Sequence, residues 1–286
     1  MSRSTGAVSL LGALVLVLVA ALVAALTGAL LTGVQMLLRG IDFATASSSI
    51  AADPLLMSLC QLLGLSTATA MGTLATFGDE VVFREALGLR AVPTAIVMLA
   101  LTAGFAMQFP LHEVANLLGD LVPGFAVDPA TAARMMGAIR IDGWLTAITV
   151  PLAVVAIPAI SEELLFRGLL LPGLERYYGP RLALWTSSLA FGFIHLMPVA
   201  VVYASLAGLV LGWVRQRTDS LLPCIALHGA FNAVPILLSP RVVRIDGFNT
   251  VTESITHLPL ALVLGSALVA AASLLTLGRL CDDNNS

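Results

Sequence analysis

The sequence contains no lysine and few charged residues of any kind. Only 11% of its 286 residues are charged, and all 14 basic residues are arginine. Because soluble globular domains are about 25% charged, this fraction excludes an ordinary water-exposed surface. The net charge of −3 gives no sign of a nucleic-acid-binding face, so no nucleic-acid partner is expected. A chain that is 58% hydrophobic, with a mean hydropathy of +0.98, instead predicts that the lipid bilayer is its solvent.

Cysteine is also scarce, and its spacing indicates no redox or metal chemistry. Cys60 and Cys224 lie in apolar runs, where a free cysteine behaves as a small hydrophobe. Neither forms a CxxC pair with another cysteine. Cys281 is followed by five residues, so it is not the cysteine of a C-terminal prenylation box.

Long apolar runs dominate the chain. A membrane-spanning helix needs about 20 mostly apolar residues, and eight runs approach this length, although two of them are short enough to form one tight hairpin. The first run exceeds the apolar core of about 7–15 residues in a signal peptide, which favours a retained first transmembrane helix. We therefore predict an all-α, polytopic transmembrane helix bundle with about eight spans. The runs are roughly 8–38, 54–77, 93–109, 143–162, 182–196, 199–214, 221–238 and 258–278.

Arginine positions predict the orientation of these spans. With eight spans and the N-terminus inside, nine arginines, Arg3 among them, fall on the inner side and five on the outer side. Since basic residues are enriched in cytoplasmic segments, both termini are expected in the cytoplasm. The expected location is the plasma membrane of a prokaryote.

Polar residues interrupt the apolar runs at three places. At the first, Glu162, Glu163 and Arg167 continue the run 143–162. On a helix Glu163 and Arg167 share a face, and a glutamate that precedes an arginine by four residues is the favourable order. Glu162 points about 100° away and lacks that cation, which suits a general base. The alternative is that all three residues lie at the headgroup boundary, where the helix leaves the membrane.

The other two interruptions contain histidines. His195 closes the run 182–196, where it is either functional or a packed or interfacial residue. His228 and Asn232 lie in the middle of the run 221–238 and project from one helical face. Their alternative role is a hydrogen bond between helices. Ionisable residues inside membrane segments are costly and mark functional sites.

Taken together, these residues fit a hydrolytic site. A carboxylate base, a second group that orients water and donors for an oxyanion are the parts of such a site. Two histidines and one glutamate also suit a zinc centre with one open position, for which the candidates are Glu162, His195 and His228. The residue types fit both mechanisms.

The three segments resemble the CPBP family, also called the Abi family. Residues 162–168, 191–195 and 228–232 are similar to its EExxxR, FxxxH and HxxxN motifs, in the family's order and at its intervals. The family includes the type II CAAX prenyl endopeptidases (Rce1-like) and bacteriocin-immunity proteins. The resemblance covers about 90 residues near 150–240 and divides the chain into three parts. These are the motif-free spans and loops of 1–142, a catalytic core at 143–240, and the loop, last span and polar tail of 241–286.

The resemblance implies an intramembrane endopeptidase and a role for each motif residue. Glu162 would activate water with His195 as its partner, and His228 and Asn232 would stabilise the oxyanion. Glu163 and Arg167 would form a supporting ion pair. The family is often called a metalloprotease family, but we slightly prefer a mechanism without an obligatory metal to one that uses zinc. The expected substrate is a membrane-associated peptide or protein rather than specifically a CaaX tail.

Two other functions fit the same residues. In a non-catalytic scaffold or bacteriocin-immunity protein, the polar cluster would fasten the bundle or bind a partner. In a transporter, the cluster would be a proton or ion site, but the polar residues have no counterpart in the first half of the chain, which argues against inverted repeats. One further motif, His112-Glu113-Val114-Ala115-Asn116, begins like a zinc-binding HExxH but ends in asparagine. It is predicted to lie solvated in a long extramembrane loop from Pro110 to Asp142.

Overall fold

The computed structural model describes residues 6–78, 82–252 and 254–283. Arg3, which contributed to the predicted orientation, lies outside these residues. Within them the secondary structure is helical, without strands. The helices are α1 (Leu10–Arg39), α2 (Phe43–Ala51), α3 (Pro54–Phe77), α4 (Phe83–Ala86), α5 (Thr94–Leu121), α6 (Pro129–Ala138), α7 (Trp144–Tyr178), α8 (Pro180–Phe193), α9 (Pro198–Thr218), α10 (Leu222–Leu237) and α11 (Leu260–Asp283).

The predicted all-α polytopic bundle is confirmed. Within the described residues six helices are long and apolar enough to cross a membrane, namely α1, α3, α5, α7, α9 and α11, and α10 is a shorter apolar helix. The eight predicted runs coincide with these seven helices and with α8, which has 14 residues. Large apolar side chains remain exposed along the outside, as on α1, where Leu11, Leu30 and Leu37 are 71%, 68% and 86% exposed. Such a surface requires lipid as its solvent.

Small residues allow the helices to approach closely. A Cβ atom at Gly64 of α3 would collide with the backbone carbonyl of Ala20 in α1. A Cβ atom at Gly104 of α5 would likewise collide with the carbonyl of Leu227 in α10. Because lipid tails are as apolar as leucine, such close packing is a main source of helix association in membranes. The contacts fix α3 beside α1 and place α5 against α10, the helix that carries His228.

The connection predicted from Pro110 to Asp142 is shorter than expected. Helix α5 continues through Pro110 to Leu121, which gives 28 residues and a length of about 42 Å. A proline removes one backbone hydrogen bond without necessarily ending a helix, and the extension is held by packing. The ring of His112 lies 5.0 Å from that of Phe248, so His112 is packed rather than solvated. The prediction that the motif from His112 to Asn116 lies solvated in an extramembrane loop is therefore wrong.

The end of α5 also anchors the loop that precedes α11. His257 Nδ1 lies 2.6 Å from Glu113 Oε1, and His257 Nε2 lies 2.8 Å from Asp120 Oδ2. A neutral imidazole has only one N–H, so two ionised carboxylates on opposite ring nitrogens favour the imidazolium form. The hydrogen bonds to Asp120 and then to Glu113 raise the pKa of His257. Nearby, Asn116 Nδ2 donates to the carbonyl of Gly247 at 2.8 Å.

This cluster predicts pH-dependent anchoring of the loop between α10 and α11. A histidine whose pKa is raised by folding contributes stability below its unfolded value, and that stability is lost as the pH rises through the folded value. Hydrogen-exchange protection of residues 239–259, corrected for intrinsic exchange rates, should therefore fall between mildly acidic and mildly alkaline pH. A His257→Gln variant should show low protection at both. Protection in the wild type that does not change with pH would contradict the imidazolium anchor.

Candidate active site

Helix α7 positions the first motif at a departure from regular helical geometry. Its 35 residues include two π-helical segments, Leu152–Ala156 and Leu164–Leu170. The second begins directly after Glu163 and contains Arg167. Such segments are rare in proteins, and those that occur are often found at functional sites. They disturb the regular pattern of backbone hydrogen bonds, and neighbouring side chains bond to carbonyls within them, as Ser58 of α3 does to Ala153 at 2.5 Å.

A buried ion pair forms the centre of the site. Arg167 Nη1 donates to Glu163 Oε1 at 2.9 Å, and both side chains are fully buried. Arg167 Nη2 donates to the carbonyl of Gly208 in α9 at 3.1 Å. The guanidinium carbon lies 4.3 Å from the centroid of the Phe191 ring in α8, within the range of a cation–π contact. The arginine thus links three helices.

His228 connects the two glutamates. Its Nδ1 lies 2.9 Å from Glu163 Oε1, and its Nε2 lies 3.8 Å from Glu162 Oε2. Since Glu163 bonds to Arg167 as a carboxylate, it can only accept a hydrogen bond, and Nδ1 of His228 must carry the proton. At 3.8 Å no direct hydrogen bond joins Nε2 to Glu162, unlike the two short contacts of His257, so a neutral His228 presents the lone pair of Nε2 to Glu162. The imidazole is 6% exposed, so this orientation is held inside the bundle.

Glu162 has different surroundings from Glu163, although the two are adjacent in the chain. Glu162 is 4% exposed, and its Oε1 accepts a hydrogen bond from Nε2 of Gln61 in α3. Its Oε2 is buried and has no hydrogen-bond donor among the described residues. Glu163 Oε2 is also buried without a donor. The difference is that Glu163 has a cation on Oε1, whereas Glu162 has only a neutral amide.

Gln61 was not predicted from the sequence. It lies in the first half of the chain, about 100 residues before Glu162, within the mostly apolar run 54–77. A glutamine in such a run is a mild signal, because a polar side chain inside a membrane helix needs a partner. No pattern in the sequence identifies that partner.

His195 and Asn232 lie beside this centre without joining it. His195 follows the end of α8 and is exposed, and its Nδ1 lies 3.0 Å from the carbonyl of Phe191. It forms no hydrogen bond or ion pair with Glu162 in the described part of the chain. The next residue, Leu196, has a left-handed φ of 61°, which costs about 1–2 kcal/mol. Asn232 is half-buried, one helical turn after His228, and its amide has no partner within the described residues.

The zinc alternative fits these positions poorly. Zinc ligands lie about 2.0–2.3 Å from the metal, so their donor atoms must converge on one point. Glu162 and His228 approach each other, but His195 is not part of the same cluster. In residues 6–78, 82–252 and 254–283 no three histidine, cysteine or acidic side chains are arranged to hold a metal. We therefore assign no step to a metal.

The comparison with family models bears on the part of the chain that contains this cluster. A model described as type II CAAX prenyl endopeptidase Rce1-like matches residues 144–234. Residues 144–234 are thus similar to an Rce1-like domain, and this segment is called the Rce1-like domain below. The domain begins with α7 and contains all six motif residues, and the family implies a membrane protease. No curated protein and no solved structure matches the chain. Gln61 lies outside the Rce1-like domain.

The contrasting surroundings of the two glutamates predict contrasting effects on stability. Glu163→Gln would leave the fully buried Arg167 without its counter-charge, which costs about 3–5 kcal/mol. Glu162→Gln is the matched control, since it removes a carboxylate with no cation and should change the free energy of unfolding far less. Denaturant unfolding of both variants in detergent measures the difference. Equal losses would show that the ion pair is not the element that holds the site.

Proposed function

We propose that this protein is an intramembrane endopeptidase that hydrolyses a peptide bond in a membrane-associated peptide or protein. One observation carries the proposal. Glu162 is buried without a cation and faces a histidine whose opposite nitrogen is held by the Glu163–Arg167 ion pair. Two hydrogen-bond acceptors, Glu162 Oε2 and His228 Nε2, thus face each other at 3.8 Å. A water molecule that donates one hydrogen to each acceptor would satisfy both.

In the proposed mechanism Glu162 is the general base. It takes a proton from this water as the water oxygen attacks the carbonyl carbon of the scissile bond. The tetrahedral intermediate then collapses, the C–N bond breaks, and the proton passes to the leaving amine. The acid–base step contributes about 10²–10⁴-fold to the rate of such reactions. The carboxylate is suited to this role because no cation holds its charge.

Asn232 is the proposed neutral donor for the oxyanion. It follows His228 by one turn on the same face of α10, and its amide is not committed to another group in the described chain. His228 would support the oxyanion from the same side while its Nε2 holds the proton that Glu162 took from the water, before that proton passes to the leaving amine. A preorganised donor of this kind is worth about 10²–10³-fold in rate.

His195, which is exposed at the end of α8, is proposed to assist Glu162. Because its Nδ1 bonds to the carbonyl of Phe191, a neutral His195 carries its proton there and leaves Nε2 as an acceptor. It has no direct contact with Glu162, so its assistance would pass through a bridging water. Both histidines pack edge-on against the Phe191 ring, with centroid distances of 5.2 Å for His195 and 5.8 Å for His228.

The surroundings of the site support a membrane-associated substrate. The chain is an integral membrane protein, and an apolar groove lies between α7 and α10, bordered by Leu152, Val155, Ala233 and Leu237. We propose that a substrate approaches within the bilayer and that both termini face the cytoplasm of a prokaryotic cell. The substrate class proposed is a membrane-associated peptide or protein, without restriction to CaaX tails.

The proposal predicts the outcome of a cleavage assay on purified protein with a library of membrane-tethered reporter peptides. Glu162→Gln should lower cleavage by about 10²–10⁴-fold, because an amide cannot accept the proton. Glu175→Gln, which changes a carboxylate in the same helix that bonds to Gln216, should retain activity. A chelator should have no effect, whereas inhibition by a chelator that is reversed by zinc would favour the metal mechanism.

Retention of full activity by a folded Glu162→Gln variant would contradict the proposal. Failure of the well-folded wild-type protein to cleave any peptide, together with loss of partner binding in the same variant, would favour a scaffold or immunity protein. Glu162-dependent substrate flux in proteoliposomes would favour a transporter.

A further inference from the structure

Gln61 brings the first half of the chain to the candidate active site. Helix α3 lies outside the Rce1-like domain, yet two polar side chains on one of its faces bond to α7. Ser58 Oγ donates to the carbonyl of Ala153 at 2.5 Å, and Gln61 Nε2 donates to Glu162 Oε1. Residues three apart share a helical face, so α3 is fixed against α7 by a pair of hydrogen bonds. The second of these ends on the proposed general base.

A neutral amide is a better hydrogen-bond partner for a general base than a cation is. Arg167 places a full positive charge on Glu163 and so commits that carboxylate to an ion pair. Gln61 donates a hydrogen bond to Glu162 without a net charge. This contact fixes the rotation of the carboxylate without placing a charge beside it.

The contact also engages one oxygen of Glu162 and leaves the other available. With Oε1 held by Gln61, the other oxygen, Oε2, points toward His228 Nε2 at 3.8 Å. Oε2 has no other donor among the described residues. A half turn of the carboxylate only exchanges its two equivalent oxygens, but a quarter turn about its last side-chain bond would lose this pairing of acceptors. Gln61 is the described side chain that opposes this rotation through a hydrogen bond.

We propose that Gln61 is a positioning residue that aims Oε2 of Glu162 at the water it activates, so that α3 completes the active site of the Rce1-like domain. The inference rests on the proposed function and extends it to the N-terminal part of the chain. A solely structural role for Gln61 would affect the amount of folded protein but not the protonation behaviour of Glu162.

Two substitutions at position 61 should move the pH dependence in opposite directions. Gln61→Met keeps the approximate shape but removes the donor, so the carboxylate form of Glu162 loses stabilisation. The acid limb of kcat should shift to higher pH, and kcat at its optimum should fall about ten- to hundredfold with little change in KM. Gln61→Arg adds a cation, so the acid limb should shift to lower pH and the maximal rate should also fall. Gln61→Leu replaces Gln61→Met if the latter does not fold.

Ser58→Ala is the matched control. It removes the other hydrogen bond between the same two helices and does not touch Glu162. It should lower stability without moving the pH profile. A shift in Ser58→Ala equal to that in Gln61→Met would overturn the inference, because the effect would then come from loosened helix packing.

A second measurement is independent of cleavage. An apolar carbodiimide modifies protonated carboxyl groups, and mass spectrometry of the full-length protein after digestion reports its addition to Glu162 as a function of pH. The midpoint should rise in Gln61→Met, fall in Gln61→Arg and stay unchanged in Ser58→Ala. Midpoints that shift in a protein without protease activity would support the contact and refute the proposed function. Midpoints that do not shift would overturn the inference even if the wild type cleaves peptides.

Discussion

Arg167 and Glu163 are both fully withdrawn from solvent. Removing two charges from water costs several kcal/mol for each ion, and the cost is offset only when the ions and their remaining polar atoms are well paired. Most polar atoms of the pair meet this constraint, although Glu163 Oε2 and Arg167 Nε have no hydrogen-bond partner among the described residues. Arg167 also bonds to α9 and stacks on Phe191 of α8, while Glu163 accepts from His228 of α10. The ion pair therefore fixes three helices around α7 and sets the proton position on His228.

The same constraint separates the roles of two adjacent glutamates. Enzymes assign acid and base roles to carboxylates through their surroundings rather than their residue type. Here Glu163 is committed to a cation, whereas Glu162 meets an amide from α3 and, at 3.8 Å, Nε2 of His228. The second π-helical segment begins between Glu163 and Arg167 and lies within the same buried stretch. Thus the region that is most irregular in its backbone also holds the charged groups.

The pattern in the sequence predicted the bundle and the ion pair because both depend on local information. Apolar runs show which segments can span a membrane, and a four-residue spacing places Glu163 beside Arg167. The pairing of His228 with the two glutamates depends on the packing of α10 against α7, and the Gln61 contact joins residues 101 positions apart. Neither follows from spacing along one helix. The continuation of α5 past Pro110 escaped prediction for a similar reason, because packing against Phe248 and the His257 cluster stabilises that extension.

The most direct test of the account is single-turnover cleavage in water enriched in ¹⁸O. If Glu162 activates a water molecule, the new carboxyl terminus of the product gains one ¹⁸O atom, and the enzyme peptide that contains Glu162 gains none. A product whose new carboxyl oxygen is unlabelled would mean that this oxygen came from the enzyme. That result would make Glu162 a nucleophile that forms an acyl intermediate, and it would contradict the role proposed for the buried Glu162–His228 pair.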